Sequence, residues 1–490
     1  MAISFNSIPS NLRVPWIAVE FDSSRAQQGP ALLAYRAILI GQKLAAGTAA
    51  ANTILRVTSP EQVIPLAGRG SMLHRMAIAW FASNRSTELW IGVLADDAAG
   101  VAASGTITVT GAATKDGTIA GYFGGERIPV GVRAGDANNT IAAAINTAIS
   151  ANPDLPITST VAGNTLTVTF RHKGVVGTGY DIRHSFRDGE ALPAGVTLAI
   201  SPVTGGTSNP SLTALLAVMG DLWFQIWAHP YLDATNLAAI ETELLSRSGP
   251  MRQLDGVAIT HAAGTFSVLT TLGTSRNSPY STIVAPPGAS PLTPPMELAA
   301  EVAALVAFHG AIDPARPFQT LALTRALPTA ETDQWSLDER NLLLFSGIAT
   351  TRVAAGGVVQ LDRMITTYQT NPAGAVDTAY LDVTTPLTLM FLRFSFRTRF
   401  QTKYPRHKLA DDDARFAAGQ AVMTPKLGRT EALGWFRDME SLGLVEGFEQ
   451  FKRDLVVTRS ATDPNRLEFL LPPDLMNQFI AAAAQIQFRL

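Results

Sequence analysis

The chain has 490 residues and no cysteine. That absence removes disulfides, cysteine-ligated zinc, iron-sulfur clusters and thiol nucleophiles together. Charge is also sparse. Asp, Glu, Lys and Arg make up 16% of the chain, with a net charge of -2, so no global field draws it toward nucleic acid or an anionic membrane. Lysine is scarcer still, with seven Lys against 31 Arg among the 38 basic residues. No stretch reaches 18 uninterrupted apolar residues, and the N-terminal Met-Ala-Ile-Ser-Phe-Asn-Ser-Ile-Pro lacks a basic region followed by an apolar run. The expectation is no direct membrane insertion and a place in the cytosol unless something releases the chain.

What is present points elsewhere. A hydrophobic share of 47% excludes disorder, and the length calls for roughly two to four domains. Low charge with abundant Ala, Gly, Thr and Val predicts a surface largely covered by other protein. Arginine is the cation enriched at protein interfaces, although genomic base composition gives the same bias. No internal repeat is evident, so any repetition has to come from assembly.

The chain divides into five stretches. Residues 1–30 form an arm punctuated by Pro9, Pro15 and Pro30, with a short strand pattern over Val14–Asp22 in which Ile17, Val19 and Phe21 alternate. Residues 31–97 read as α/β, with strands at Ala37–Gly41 and Glu88–Leu94 and an amphipathic helix near Ser71–Ser83. Residues 98–207 change to Gly- and Thr-rich short strands with one helix, Thr140–Ser150, and read as an inserted mostly-β surface domain. The α/β rhythm resumes over 208–370 with strands Leu222–Ala228, Val257–His261 and Ser281–Ala285 and helices Asn236–Ser246 and Pro295–His309. Such alternation predicts a largely parallel sheet covered by helices. Residues 371–490 form a C-terminal domain, in which Leu392–Phe400 fits either period and is read as helix.

Several patterns suggest chemistry. Gly273-Thr-Ser-Arg-Asn-Ser-Pro279 matches the setting of the subtilisin nucleophile, but Ser275 would need a His base and an Asp in their own contexts. Neither context occurs, and the one His-Gly, His309-Gly310, follows the serine. A polar turn before the strand at 281 explains the motif, and no catalytic residue is expected. The seven histidines never stand at i, i+4 around a carboxylate, so no metal site is expected. Gly174–Gly179 lacks the order of a phosphate-binding loop, and Asp411–Asp413 lacks calcium-loop spacing. No cofactor is implied.

Two features point to partners instead. Ala484–Leu490 alternates polar and apolar residues with Ile486, Phe488 and Leu490 on one side, and no hairpin partner follows. It reads either as an edge strand of the chain's own sheet or as a strand donated to another copy. About six backbone hydrogen bonds at roughly 0.5–1.5 kcal/mol each only offset an ordering cost of about 1–2 kcal/mol per residue. Burial of the three apolar side chains, about 1.5–3 kcal/mol apiece, decides the sign. The second feature is the concentrated basic stretch Arg393, Arg397, Arg399, Lys403, Arg406 and Lys408. It is either exposed charge answered by Asp411–Asp413 or a docking face for an acidic protein surface.

Several segments, in order, resemble the contractile tail sheath protein of Mu-like phages. They are Ile3-Ser-Phe-Asn-Ser-Ile-Pro9 with Val14-Pro15 and Glu20-Phe21-Asp22, Asp313-Pro-Ala-Arg-Pro317, Thr366–Asn371 with Tyr380-Leu-Asp-Val383, Lys403–Leu409, and Leu470–Asp474 through Gln485–Leu490. The resemblance runs from end to end, with no recognisable motif inside 98–207. It implies a structural subunit of the virion tail, assembled in the bacterial host cytoplasm, that polymerises helically around the tail tube and contracts to drive the tube through the host envelope. It implies a domain of subtilisin-like topology, and terminal arms that add strands to neighbouring subunits through Ile17, Val19, Phe21, Ile486, Phe488 and Leu490. Implied partners are further copies, the tube protein, and baseplate and terminator proteins, with the basic stretch facing the tube. A subtilisin-like hydrolase, or a tube or baseplate protein, is the alternative.

Overall fold

The computed structural model describes residues 33–417 and 419–489. The expected arm at 1–30, with Ile17, Val19 and Phe21, lies outside the described residues, as does Leu490.

The chain opens with β1 (Arg36–Gln42), β2 (Thr53–Val57), α1 (Pro60–Ala67), α2 (Met72–Ser83) and β3 (Glu88–Leu94). β1 is buried from Ala37 onward, as expected of a strand with both faces covered. Ser71 starts α2 by accepting a hydrogen bond from His74 N at 3.1 Å. Next come β4 (Ala102–Thr110), β5 (Gly117–Phe123), β6 (Glu126–Val132), α3 (Asn138–Ser150), β7 (Ile157–Ala162), β8 (Thr165–Lys173), β9 (Ile182–His184) and β10 (Thr197–Ile200). These strands make two antiparallel sheets of their own, in the orders β10-β4-β8-β7 and β6-β5-β9. α3 turns Ile141, Ile145 and Ile149 inward against them.

The main sheet then resumes with α4 (Thr213–Met219), β11 (Ile226–Ala228), α5 (Ala234–Arg247), β12 (Val257–His261), α6 (Phe266–Thr274), β13 (Ser281–Val284), α7 (Pro295–Ile312), α8 (Leu337–Phe345), β14 (Ile348–Val353) and β15 (Val359–Arg363). Its eight strands run β15-β14-β13-β12-β11-β1-β3-β2. The central six are parallel, and β2 and β15 close the ends antiparallel. The fold is therefore mixed α/β. α7 is long and apolar enough to cross a membrane, but it is buried against α2, β11 and β12.

Three readings of the sequence need correction. Leu222–Ala228 is strand only from Ile226, because Leu222 N turns back to Met219 O at 3.0 Å. The polar turn before the strand at 281 begins only at Ser275, because Gly273 and Thr274 still belong to α6, whose first turn Thr265 caps. Ala484–Arg489 is not a strand within one subunit, since residues 476–489 carry no regular structure.

The last segment comprises α9 (Thr384–Lys403), β16 (Lys408–Leu409), β17 (Val422–Met423), α10 (Pro425–Ser441), β18 (Val445–Glu446), α11 (Phe448–Asp454), β19 (Val456–Arg459), β20 (Leu467–Leu470) and β21 (Asp474–Leu475). Trp435, Phe436, Met439 and Phe451 form its own small core. Leu392–Phe400 is helical throughout.

A buried charge cluster joins the distant parts. Arg75 on α2 donates to Glu297 on α7 at 2.8 Å and to Glu126 on β6 at 3.0 Å. Arg325 reaches the same two carboxylates at 3.3 and 2.7 Å. Beside it, His172 on β8 accepts from Met72 N at 2.9 Å and meets Asp96 at 2.9 Å, so the strand unit also caps α2.

Candidate interface

Two features of the C-terminal segment stand out among the described residues: a two-stranded hairpin with no further strand partner, and a tail without regular structure. Among the described residues, β19 and β20 pair only with each other. A lone hairpin is marginal in water and needs packing to persist. That packing comes from α9. Phe469 of β20 lies 5.4 Å from Phe396 and 5.1 Å from Phe400, ring centre to ring centre, and Phe396 meets Trp435 of α10 at 5.2 Å. These are edge-to-face contacts. Gly428 of α10 lets the hairpin sit close, because a Cβ there would stand 2.8 Å from Leu467.

Past β21 the chain lies along its own subunit for only four residues. Met476 N donates to Leu444 O at 3.1 Å, Asn477 to Glu446 at 3.0 Å, Gln478 to Thr384, and Gln319 to Phe479 O at 3.2 Å. No hydrogen bond links residues 480–489 to another described residue. Ile486 and Phe488 are 87% and 80% exposed, and extended chain of this length reaches about 33 Å. Such exposure of alternate large apolar side chains is costly in water.

The basic stretch does not form one face. Arg393 pairs with Asp255 at 2.9 Å and donates to Ser248 O, tying α9 to the main sheet domain. Burial pushes the Asp255 carboxyl up, against the pull of Arg393. Arg397 donates to Gln253 at 3.0 Å and lies over the Trp223 ring. Arg399 bridges Glu431 and Asp438 of α10 at 2.8 and 2.5 Å, and Lys403 shares Glu431 at 3.1 Å. Burial alone would raise Glu431, but hydrogen bonds from Tyr404, Arg399 and Lys403 hold it below the usual carboxylate range. Arg406 and Lys408 are exposed, with Lys408 donating to Gln420 at 2.8 Å. Asp411 answers Arg459 and Asp412 accepts from Lys426 N at the start of α10, so these carboxylates do not serve the basic stretch. The internal partners were invisible in the sequence because they stand 28 to 145 positions away.

Ser275 closes α6, and its Oγ donates to Leu272 O at 2.6 Å. The glycine of its motif has a packing role, since a Cβ on Gly273 would stand 2.1 Å from Ser346 O. His229 and His261 are wholly buried, and burial pushes their imidazoles down to about 4 and about 3. Among the described residues, no cluster of three or more His, Asp or Glu could hold a metal.

Among the described residues, the C-terminal segment therefore holds a hairpin paired only with itself and a tail with exposed apolar side chains. The chain belongs to the phage tail sheath family. The model of the phage tail sheath protein central domain matches residues 205–367 and that of the phage tail sheath C-terminal domain matches residues 375–489. Over 488 residues, the whole of both chains, it is 39% identical to the Mu-like prophage FluMu tail sheath protein of Haemophilus influenzae. Among solved structures it is similar to the sheath tail protein of Desulfitobacterium hafniense, with TM-score 0.48 and 11% identity over 94% of this chain and 100% of that one. It is also similar to that of Listeria innocua, with TM-score 0.49 and 11% identity over 92% and 94%.

Proposed function

We propose that this chain is the structural subunit of a contractile tail sheath, polymerising helically around a tail tube, in which the C-terminal segment of each copy completes the β19–β20 hairpin of another. The observation that carries this reading is the pairing of needs within one subunit. Ile486 and Phe488 project into solvent, and among the described residues neither the backbone of 480–489 nor the outer edges of the hairpin held by Phe469 have a strand partner. Strand addition satisfies both at once. A head-to-tail contact that does not close gives an open helical polymer, so one chain can tile a cylinder.

The arm at 1–30, through Ile17, Val19 and Phe21, is proposed to act in the same way at the other end of the chain. Exchanged strands of this kind would let packed domains slide while keeping their hydrogen bonds. Contraction then draws on the difference between two packings of the same subunits and requires no catalytic residue, cofactor or metal. The six central parallel strands are the proposed counterpart of a subtilisin-like domain without its chemistry. The five-part division at 30, 97, 207 and 370 is proposed to describe its folding units. Tube, baseplate and terminator proteins are the expected partners, with assembly in the host cytoplasm. Arg406 and Lys408 are the exposed members of the basic stretch without a carboxylate partner among the described residues, whereas Arg397, also without one, is held by Gln253 and the Trp223 ring, so Arg406 and Lys408 are the proposed contacts to the tube.

Deleting residues 484–490 tests the reading. The truncated chain is expected to fold and stay soluble but to form no long tubes in negative-stain microscopy. Tubes of normal length from the truncated chain would remove the terminal-strand linkage.

A further inference from the structure

We propose that the pocket at the entry to β1 docks the arm of its own chain, taking Glu20-Phe21-Asp22 in the free subunit and so withholding the arm from strand exchange. The withholding rests on the exchange reading above; the docking does not. The pocket has a volume of about 490 Å³ and lies between the starts of β1 and β3, the end of β2 and the ends of α2 and α7. Phe81, Phe308 and Ile312 give it apolar walls, and Phe308 and Ile312, one turn apart on α7, are 36% and 69% exposed. Tyr35 stands in the same wall, with a buried hydroxyl that has no hydrogen-bond partner among the described residues.

The charge at this pocket is positive. Its one lining carboxylate is Glu88, which Arg36 and Arg56 approach at 3.6 and 3.7 Å and to which Trp90 Nε1 donates at 2.9 Å. Arg85 donates to Phe81 O at 3.2 Å and has no carboxylate partner among the described residues. Three arginines thus face one carboxylate, a balance of +2. The C-termini of α2 and α7 add about half a negative charge each, which leaves the site net positive.

The matching group belongs to the chain itself. Leu33 lines the pocket, so the arm begins at its edge. Glu20 and Asp22 are the only acidic residues in 1–32, and they flank Phe21. Phe21 stands twelve positions before Leu33, a span of up to about 40 Å when extended, so the tether reaches. A tether this short holds the segment at an effective concentration of the order of millimolar, so a weak site is filled by its own arm before another copy competes. Phe21 packs on Phe81 and Phe308, and the two carboxylates answer Arg56 and Arg85 in charge-assisted hydrogen bonds. Because Phe21 is also proposed to enter a neighbour's sheet, the two uses exclude each other, and the docked fraction lowers the arm's apparent affinity for exchange.

The absence of cysteine makes the test clean. Ser23→Cys with Ala311→Cys places one thiol beside the docking segment and one on the exposed pocket wall. This chain, dilute and monomeric by size exclusion, is treated with a short bis-maleimide, and the linked peptides are identified by mass spectrometry. A link within one chain is expected, and Arg56→Glu with Arg85→Glu is expected to slow it at least about tenfold. Adding Glu20→Arg and Asp22→Arg should restore the rate, which a pocket damaged by the reversal would not allow. A link that forms equally fast with the reversed pocket is tether encounter alone and would overturn the docking. Links formed only between separate chains would overturn it too, and would assign the pocket to a neighbour's arm. Without the added cysteines, Arg56→Glu with Arg85→Glu is expected to lower the protein concentration at which polymers appear by at least about threefold; an unchanged or higher onset would overturn the withholding. If the unaltered chain forms no polymer, strand exchange fails and the withholding with it, whereas the cross-link still decides the docking.

Discussion

Replacing Arg75 by Met tests how the strand unit formed by β4–β10 is fixed to the main sheet domain. The Arg75 and Glu297 side chains are 4% and 1% exposed and 2.8 Å apart. Removing one member of a buried pair leaves a charge with neither water nor partner, a cost of about 3–5 kcal/mol. Here Arg325 stays 3.3 Å from Glu297 and Met fills most of the vacated volume, which places the expected loss near the lower end, about 3 kcal/mol. At 1.4 kcal/mol per decade this is more than a hundredfold in the opening equilibrium. Hydrogen exchange read on peptides covering α2, α7 and β6 is expected to accelerate by that factor, because local opening exposes these elements together. Adding Glu297→Leu should restore most of the protection, since a well-packed apolar pair commonly equals or exceeds a buried ion pair. The cluster also sets an acid response. Burial raises the Glu126 carboxyl, but Arg75 and Arg325 outweigh it and hold the folded group below its ordinary value. Glu126 therefore adds stability above its unfolded pKa and loses that contribution as pH falls through the folded value, a dependence that Arg75→Met should flatten. Exchange rates within threefold of the unaltered protein would refute the reasoning.

Two further perturbations separate internal from external roles. Arg399→Glu sets like charge against Glu431 and Asp438, so it is expected to destabilise the packing of α9 on α10 by about 2–4 kcal/mol, seen as a lower unfolding temperature of the free subunit. A variant with unaltered stability that only detaches from tubes would instead make Arg399 a tube contact. Ser275→Ala is expected to change neither stability by more than about 0.5 kcal/mol nor polymer formation, and the unaltered chain should resist a fluorophosphonate probe. Labelling at Ser275 would reopen the hydrolase alternative.

The parts legible in the sequence were those whose partners lie nearby or whose burial is uniform. β3 and β12 read at their observed limits because strands covered on both faces are continuous apolar runs. α2 and α3 read from the apolar spacing that their packing demands. β2 did not, because an edge strand with Thr53 and Arg56 half in solvent has no clear period. α9 was ambiguous because it buries two faces, the aromatic one against the hairpin and the arginine one against Asp255 and α10, which leaves little contrast around the helix. The Arg75 cluster joins positions 51 and 222 apart, a relation no local pattern carries. The terminal alternation was legible because exposed Ile486 and Phe488 make few contacts within their own subunit that would impose another period. The hairpin proposed to receive it could be found only from the structure, where among the described residues β19 and β20 pair only with each other.

Cryo-electron microscopy of polymers assembled from the unaltered chain tests the central claim most directly. The account predicts density for residues 484–490 as a strand hydrogen-bonded to Val456–Arg459 or Leu467–Leu470 of another copy, with Ile486 and Phe488 buried between subunits. Density that places this segment back on its own subunit, with both hairpin edges empty, would contradict it.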